Sequence, residues 1–206
     1  MKRYILTGTP GSGKTAILRL LEHLGHSVVE EAASAVIARM LAQCQAEPWA
    51  HPSFIDAIVA LQRQRQQRAA SSETEVQFYD RSPICTHALA VHLGRPITAR
   101  LSAELDRITG ESTYERQVFF IRNQGFCEPT AARRISFEDS LVFERIHEQS
   151  YRAFGYELVD IPAGDLADRA AAITAITAIT GSESPLAGHV PEPAESRRAG
   201  AGGSRP

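Results

Sequence analysis

Short apolar runs alternate with amphipathic segments along the chain. Five apolar runs predict strands, at residues 4–6, 28–30, 76–80, 118–121 and 156–160. Apolar positions that recur every three or four residues predict helices at 16–21, 33–44, 52–69, 83–93, 98–108 and 136–154, and a last helix after Asp165. The run at 118–121 is apolar throughout, as in a central parallel strand. This alternation predicts an α/β fold, a five-stranded parallel sheet with right-handed crossovers and helices on both faces.

Local signals refine these elements. Thr98 is expected to cap its helix, and Ser136 with Asp139 approximates a capping box. In the helix at 33–44, six apolar residues are expected on one face, and Ile173, Ile176 and Ile179 are expected to form one apolar stripe. Residues 122–134 lack periodicity and predict a loop or lid. Residues 1–180 are therefore expected to form one domain, followed by a disordered tail at 181–206 that is rich in Gly, Pro, Ser and Arg.

The segment GTPGSGKT at residues 8–15 fits the phosphate-loop pattern G-x-x-x-x-G-K-[ST], between a predicted strand and a predicted helix. Its glycines allow backbone N–H groups to surround a phosphate, and the helix N-terminus adds partial positive charge. Lys14 is expected to reach the β- and γ-phosphates, and the Thr15 hydroxyl to ligate Mg²⁺. The expected triphosphate contacts are Gly8, Pro10, Gly11, Ser12, Gly13, Lys14 and Thr15.

Three predicted strands end in charged residues, at the sheet edge where parallel α/β proteins bind ligands. Asp80 follows its strand as a magnesium-holding carboxylate does. Arg81 is expected either to neutralise a phosphate on the acceptor or to pair with a carboxylate of its own fold. Either Glu30 or Glu31 is a candidate general base, because neighbours in a strand point to opposite faces.

Arginines lie at both ends of the predicted lid. Arg122 begins it and is expected to contact the nucleotide, while Arg133 and Arg134 end it. Arginines that a closing loop delivers would stabilise the charge on a transferred phosphoryl group. The alternative is that the pair begins a solvated helix and binds Glu138 or Asp139.

These motifs resemble the AAA-like P-loop domain of nicotinamide-ribonucleoside kinases and many bacterial ATPases, and the wider nucleoside- and nucleotide-kinase group. The resemblance extends over about residues 1–179. It implies Glu31 as acceptor-binding carboxylate or base, Asp80 on magnesium, Arg81 at the acceptor, and Arg133 or Arg134 on the transferred phosphoryl group. Ser34 stands where the family often has arginine, and Ile84-Cys85 where an acidic residue is common, so the resemblance does not imply the acceptor's identity.

Composition narrows the class. The 206 residues carry a formal net charge of −2 and are 43% hydrophobic, which suits one domain and argues against general nucleic-acid binding. No apolar run approaches the ~18 residues of a membrane helix, and the opening strand is no signal peptide, so we expect a cytoplasmic protein. Cys44, Cys85 and Cys127 lie far apart and predict neither a disulfide framework nor a Cys-x-x-Cys metal site.

The sequence therefore predicts a Mg²⁺- and ATP-dependent small-molecule kinase, whose partners are a nucleoside triphosphate and a small acceptor. Two other classes remain: a nucleotide-switched binding protein with slow hydrolysis and a protein partner, and an accessory ATPase in resistance or repair. A kinase requires an acceptor pocket walled by the helices at 52–69 and 83–93. A switch requires an exposed surface that responds to the γ-phosphate.

Overall fold

A computed structural model of the chain describes residues 1–71, 74–125 and 135–182. The strands are β1 (Lys2–Thr7), β2 (Ser27–Val29), β3 (Val76–Asp80), β4 (Gln117–Ile121) and β5 (Glu157–Ile161). The helices are α1 (Lys14–His23), α2 (Ala32–Ala42), α3 (Phe54–Ala69), α4 (Pro83–His92), α5 (Ala99–Gly110), α6 (Phe137–Ala153) and α7 (Leu166–Ser182), with a short 3₁₀ turn at Pro48–Ala50. Every strand and helix that the hydrophobic pattern predicts is present within a few residues of its expected bounds.

The five strands form one parallel sheet in the order β2-β3-β1-β4-β5. The predicted fold class is therefore confirmed. β1 lies at the centre of the sheet, and the apolar strand β4 lies between β1 and β5, as its composition predicts. Because all strands are parallel, their carboxyl ends share one edge, and the segments that follow β1, β2 and β3 meet there.

Side chains that alternate along the strands feed two apolar cores. Ile5, Tyr79 and Val118 face one core, which α2 to α6 cover. Tyr4 and Phe119 face the other core, which α1 and α7 cover. The period of two in a strand thus explains how short apolar runs bury both faces of the sheet.

Two expectations about helix faces are wrong in part. Leu41 and Cys44 do not join the buried face of α2, since the helix ends at Ala42 and Cys44 turns the chain with a φ of 62°. In α7, Ile173 is buried but Ile179 is 65% exposed. A repeat of three falls short of a 3.6-residue turn, so the stripe rotates by about 60° per repeat and leaves the core.

The expected helix caps are observed. The Thr98 side chain accepts a hydrogen bond from the N–H of Leu101, and its hydroxyl donates to Asp56 Oδ1 in α3 at 2.5 Å. Ser136 Oγ accepts from the N–H of Asp139 at 3.0 Å. The Ser136 hydroxyl also donates to the Asp139 carboxylate, which replaces the reciprocal backbone contact of a capping box.

The predicted tail lies outside the described residues from position 183 onward. Within the described part of the chain, no helix has both the length and the apolar character required to cross a bilayer.

Candidate active site

The phosphate loop lies between the end of β1 and the start of α1, at the centre of the sheet edge. Gly8 has a φ of 131°, and a Cβ atom there would lie 2.3 Å from the Ile121 carbonyl oxygen in β4, so only glycine fits. Gly13 precedes α1 with a φ of 89° and provides no side-chain cap. The first N–H groups of α1 therefore lack a side-chain partner, which is the arrangement that binds phosphate at helix N-termini.

Lys14 is folded back onto this loop and is 5% exposed. Its Nζ donates to the carbonyl oxygens of Gly8 (3.0 Å) and Thr9 (2.6 Å) and to Ser12 Oγ (3.1 Å). Burial, assisted by the nearby Arg81 charge, lowers the pKa of Lys14 to about 7. A triphosphate in the loop would supply the opposite charge that favours the protonated amine.

Thr15 and Asp80 meet beside the loop. Thr15 Oγ1 donates to Asp80 Oδ2 at 3.3 Å, and Asp80 Oδ1 is buried without a hydrogen-bond partner among the described residues. Burial, with the neighbouring charge of Glu31, raises the pKa of Asp80 although Lys14 and Arg81 oppose the shift. A hydroxyl and a buried carboxylate with an unused oxygen are hard ligands that fit Mg²⁺, which would also keep Asp80 ionised.

No group of three or more His, Cys, Asp or Glu side chains that could hold a metal ion occurs within residues 1–71, 74–125 and 135–182.

Glu31, and not Glu30, faces the site. β2 ends at Val29, so both glutamates follow the strand. Glu30 points to the outside, where its Oε1 lies 2.5 Å from Arg19 Nη2. Glu31 Oε1 lies 2.6 Å from Arg81 Nε, and its Oε2 accepts from the Ser34 hydroxyl at 2.5 Å. Burial by itself would raise the pKa of Glu31, but Arg81, Ser34 and Lys14 together bring it below its usual value, so this carboxylate is ionised.

Arg65 of α3 holds the segment that carries Glu31. Its Nη1 donates to the carbonyl oxygens of Glu30 at 2.8 Å and Glu31 at 2.6 Å. The backbone of this turn is therefore tied to a neighbouring helix, which restricts the direction of the Glu31 side chain.

Arg81 is fixed from several directions. It is a non-glycine residue with a φ of 70°, and its N–H donates to the Leu6 carbonyl at 3.0 Å. Its Nη1 lies 3.2 Å from His147 Nε2, and His147 Nδ1 lies 2.9 Å from the Phe143 carbonyl oxygen. A carbonyl oxygen only accepts, so Nδ1 carries the proton and Nε2 accepts from Arg81. Burial, reinforced by Arg81, lowers the pKa of His147 well below its usual value, which agrees with a neutral ring.

Arg81 pairs with Glu31, a carboxylate of its own fold, and it also lines the cavity beside the phosphate loop. Its expected contact with a phosphate on the acceptor stays a prediction. His147 was not identified from the sequence because a single histidine in an amphipathic helix belongs to no motif.

A cavity of about 710 Å³ opens from the phosphate loop toward α2, α3, α4 and α6. Its apolar wall comes from Trp49, Phe54, Ile58, Leu89 and Phe143. Its polar lining includes Gln62 of α3 and Thr86 of α4, whose hydroxyl donates to Gln62 Oε1 at 3.0 Å. The helices predicted at 52–69 and 83–93 therefore do wall a pocket next to Glu31 and Arg81.

Arg122 lies outside the lining of this cavity, at the end of β4. Its Nη1 lies 2.9 Å from Glu144 Oε1 and also contacts the Glu148 carboxylate, and its Nη2 lies 2.7 Å from Asp160 Oδ1. Its guanidinium also lies over the Phe120 ring. Three carboxylates of its own chain hold Arg122, and its expected contact with the nucleotide stays a prediction. Arg133 and Arg134 fall within positions 126–134, outside the described residues.

A phosphate loop between β1 and α1, a carboxylate at the end of β3 and this strand order define a P-loop NTPase domain of the kinase-like type. The chain belongs to the AAA domain family, whose model matches residues 3–169. No curated protein matches the sequence significantly.

Several solved structures share the fold. A structure of NadR protein in complex with NR is 19% identical over 89% of this chain and 52% of that chain, with a TM-score of 0.65. NadR in complex with NAD and AMP-PNP is 18% identical, with a TM-score of 0.62, over 89% of this chain and 50% of that one. Deoxyadenosine kinase from M. mycoides is 12% identical over 86% of this chain and 99% of that chain, with a TM-score of 0.57. The chain thus spans about half the length of the NadR chains, and at these identities the likeness concerns the fold.

Proposed function

We propose that this protein is a Mg²⁺- and ATP-dependent kinase that transfers the γ-phosphoryl group to a hydroxyl of a small, nucleoside-like acceptor in the cytoplasm. The observation that carries the proposal is that Glu31 and Arg81 face a walled cavity directly beside the phosphate loop. The two other candidate classes, a nucleotide switch and an accessory ATPase, require no such cavity.

The chain's own residues supply the parts of a phosphoryl transfer. The loop and Lys14 would bind the triphosphate, and Thr15 and Asp80 would hold Mg²⁺, which would neutralise charge on the phosphate oxygens. The acceptor oxygen forms a bond to the γ-phosphorus while the bond to the bridging β–γ oxygen breaks and ADP leaves with the electron pair. Glu31 accepts the proton of the acceptor hydroxyl, and Arg81 orients that hydroxyl or stabilises the transferred group.

The lining of the cavity supports a neutral or cationic acceptor over a phosphorylated one. Among the described lining residues beyond the loop, Arg81 is already paired with Glu31, and Glu47 and Asp139 add negative charge. An acceptor phosphate would be repelled by these carboxylates. The aromatic wall at Trp49, Phe54 and Phe143 suits a flat ring.

The test is a screen for ATP consumption. Purified protein, ATP and Mg²⁺ are incubated with nucleosides, nucleoside monophosphates and other small hydroxyl compounds, and ADP release is compared with the rate without acceptor. We expect stimulation by one or more nonphosphorylated hydroxyl compounds, with the product identified by its mass gain of one phosphoryl group. ATP consumption that no acceptor stimulates would contradict the kinase and favour the switch or the accessory ATPase.

Asp80→Asn is expected to raise the Mg²⁺ concentration required for half-maximal turnover and to lower the maximal rate, because the amide provides a weaker metal ligand without charge. The measurement is a Mg²⁺ titration at saturating ATP. Asp168→Asn, in the first turn of α7, serves as a control for loss of one negative charge. An unchanged Mg²⁺ dependence in the Asp80 variant would show that Asp80 does not bind the metal ion.

Replacing both Arg133 and Arg134 by alanine is expected to lower kcat by roughly a hundredfold, with a smaller change in nucleotide Kd, because such contacts strengthen as charge develops in the transition state. Arg116→Ala removes a highly exposed arginine and provides the control. If the pair only begins a helix, the double variant loses about 1 kcal/mol of stability and keeps its turnover. Normal turnover with loss of binding to a protein partner would instead favour the switch.

A further inference from the structure

Arg169 of α7 lies directly behind the phosphate loop, 157 positions away from it in sequence. The residue is 4% exposed. Its Nη1 donates to the Ser12 carbonyl oxygen at 2.9 Å, and its Nη2 donates to the Arg122 carbonyl oxygen at 3.0 Å. One guanidinium therefore joins the phosphate loop, the end of β4 and α7.

We infer that Arg169 is a positioning residue of the nucleotide site, which fixes the orientation of the Ser12–Gly13 peptide and places a positive charge behind the bound phosphates. The inference rests on the proposed binding of a triphosphate at the loop. It does not depend on which acceptor, if any, receives the phosphoryl group.

The orientation argument follows from peptide geometry. In a planar trans peptide the carbonyl and the N–H of the next residue point in opposite directions. Because Arg169 holds the Ser12 carbonyl on its side, the Gly13 N–H points to the other side. Gly13 lines the cavity, so this direction is the one that a phosphate in the loop requires.

The local sequence does not by itself select that orientation. Glycine accepts positive and negative φ with similar ease, and Gly13 has a φ of 89°. The Ser12–Gly13 peptide therefore can rotate at little steric cost unless a tertiary contact holds it. A Cβ atom on Gly13 would lie 3.1 Å from Arg169 Nη1, which shows how closely the guanidinium approaches this peptide.

The charge argument concerns what Arg169 lacks. Its two contacts are neutral carbonyl oxygens, no carboxylate in the described part of the chain pairs with it, and its buried Nε has no hydrogen-bond partner there. Burial lowers its pKa, yet an arginine side chain stays protonated at any physiological pH. A buried cation without a counter-charge is costly, and an anion bound nearby in the loop reduces that cost.

A purely structural role would be to dock α7 onto the sheet. That role predicts a lower melting temperature for an Arg169 variant and an unchanged Kd for nucleotide at temperatures where the variant is folded. The positioning role predicts a higher Kd for nucleotide in the folded protein. The lost affinity must come from contacts with the phosphates and not from contacts with the base.

The experiment compares Arg169→Met, Arg169→Lys and Arg107→Met in the full chain. Arg107 is a second arginine held by its own fold, through Glu104, Glu111 and Gln66, and it does not line the cavity. Calorimetric Kd values are measured for Mg-ATP and for inorganic tripolyphosphate, and melting temperatures are measured without ligand.

We expect Arg169→Met to raise the Kd values for Mg-ATP and for tripolyphosphate by similar factors of about tenfold or more, as lost hydrogen bonds to a charged group predict. Arg169→Lys keeps the charge but cannot hold both carbonyls, so its Kd is expected between those of the wild type and the methionine variant. Arg107→Met is expected to lower the melting temperature and leave both Kd values unchanged.

A wild-type Kd in folded Arg169→Met would overturn the inference. If the methionine variant does not fold, the lysine variant decides, and a wild-type Kd there would overturn the requirement for two held carbonyls. A loss for ATP without a loss for tripolyphosphate would also overturn it, since the effect would then lie at the base. Failure of the wild-type protein to bind either ligand would instead refute the proposed function.

Discussion

Replacing Lys14 by alanine is expected to abolish the thermal stabilisation that Mg-ATP confers and to lower turnover by at least about a hundredfold. Lys14 is the only lysine in the phosphate loop, and its amine would contact the β- and γ-phosphates where water is largely excluded. The unliganded protein is expected to stay folded. Burial outweighs the favourable charges of Asp80 and Glu31 and lowers the pKa of Lys14 to about 7, so the charged amine adds little net stability to the unliganded fold.

The chain offers a close control for this variant. Lys2 and Lys14 are the only two lysines in the sequence, and Lys2 begins β1 at the opposite end of the strand from the loop. Lys2→Ala is expected to keep the nucleotide-dependent shift in melting temperature, which calorimetry or dye-based melting measures. An unchanged shift in Lys14→Ala would show that the triphosphate does not bind at this loop.

Glu31→Gln is expected to lower the rate of transfer to the acceptor by about 10²–10⁴, the range typical of a removed general base, while Kd for Mg-ATP stays near its wild-type value. Glutamine keeps an oxygen that accepts from Arg81 Nε but cannot take a proton. The variant therefore separates proton transfer from the positioning of Arg81. Single-turnover rates with saturating acceptor and calorimetric Kd values measure the two effects.

Glu30→Gln is the matched control, since this neighbouring carboxylate is exposed and paired with Arg19 on the outside of the domain. It is expected to keep both transfer and nucleotide binding. A larger loss of transfer rate in Glu30→Gln than in Glu31→Gln would assign the role of general base to Glu30. A small loss in both variants would leave Glu31 as a partner of Arg81 and without a role in proton transfer.

These expectations concern one connected set of charges. Lys14, Asp80, Glu31 and Arg81 influence one another's pKa values, and His147 ties Arg81 to α6. A ligand that adds phosphate and metal charge therefore affects all four groups together. Variants within this set are expected to be non-additive, and the most informative comparisons are those against the controls outside it, Lys2 and Glu30.

The sequence by itself determined the parts of this protein that depend on local pattern. The phosphate loop is recognisable because its glycines, lysine and threonine act within eight consecutive positions, between an apolar strand and a helix. The strands and helices are recognisable because each apolar run or stripe follows the period of its own element. The parallel sheet follows because alternating strands and helices permit few other topologies.

Only the tertiary structure decided features that depend on distant contacts. The choice of Glu31 over Glu30 depends on where β2 ends and on Arg81 and Arg65, which approach from other segments. His147 and Arg169 act through the partners that packing brings to them, and no motif records those partners. The sequence specifies the chemistry of each side chain. The direction of that side chain and its partners depend on elements that become neighbours only when the chain folds.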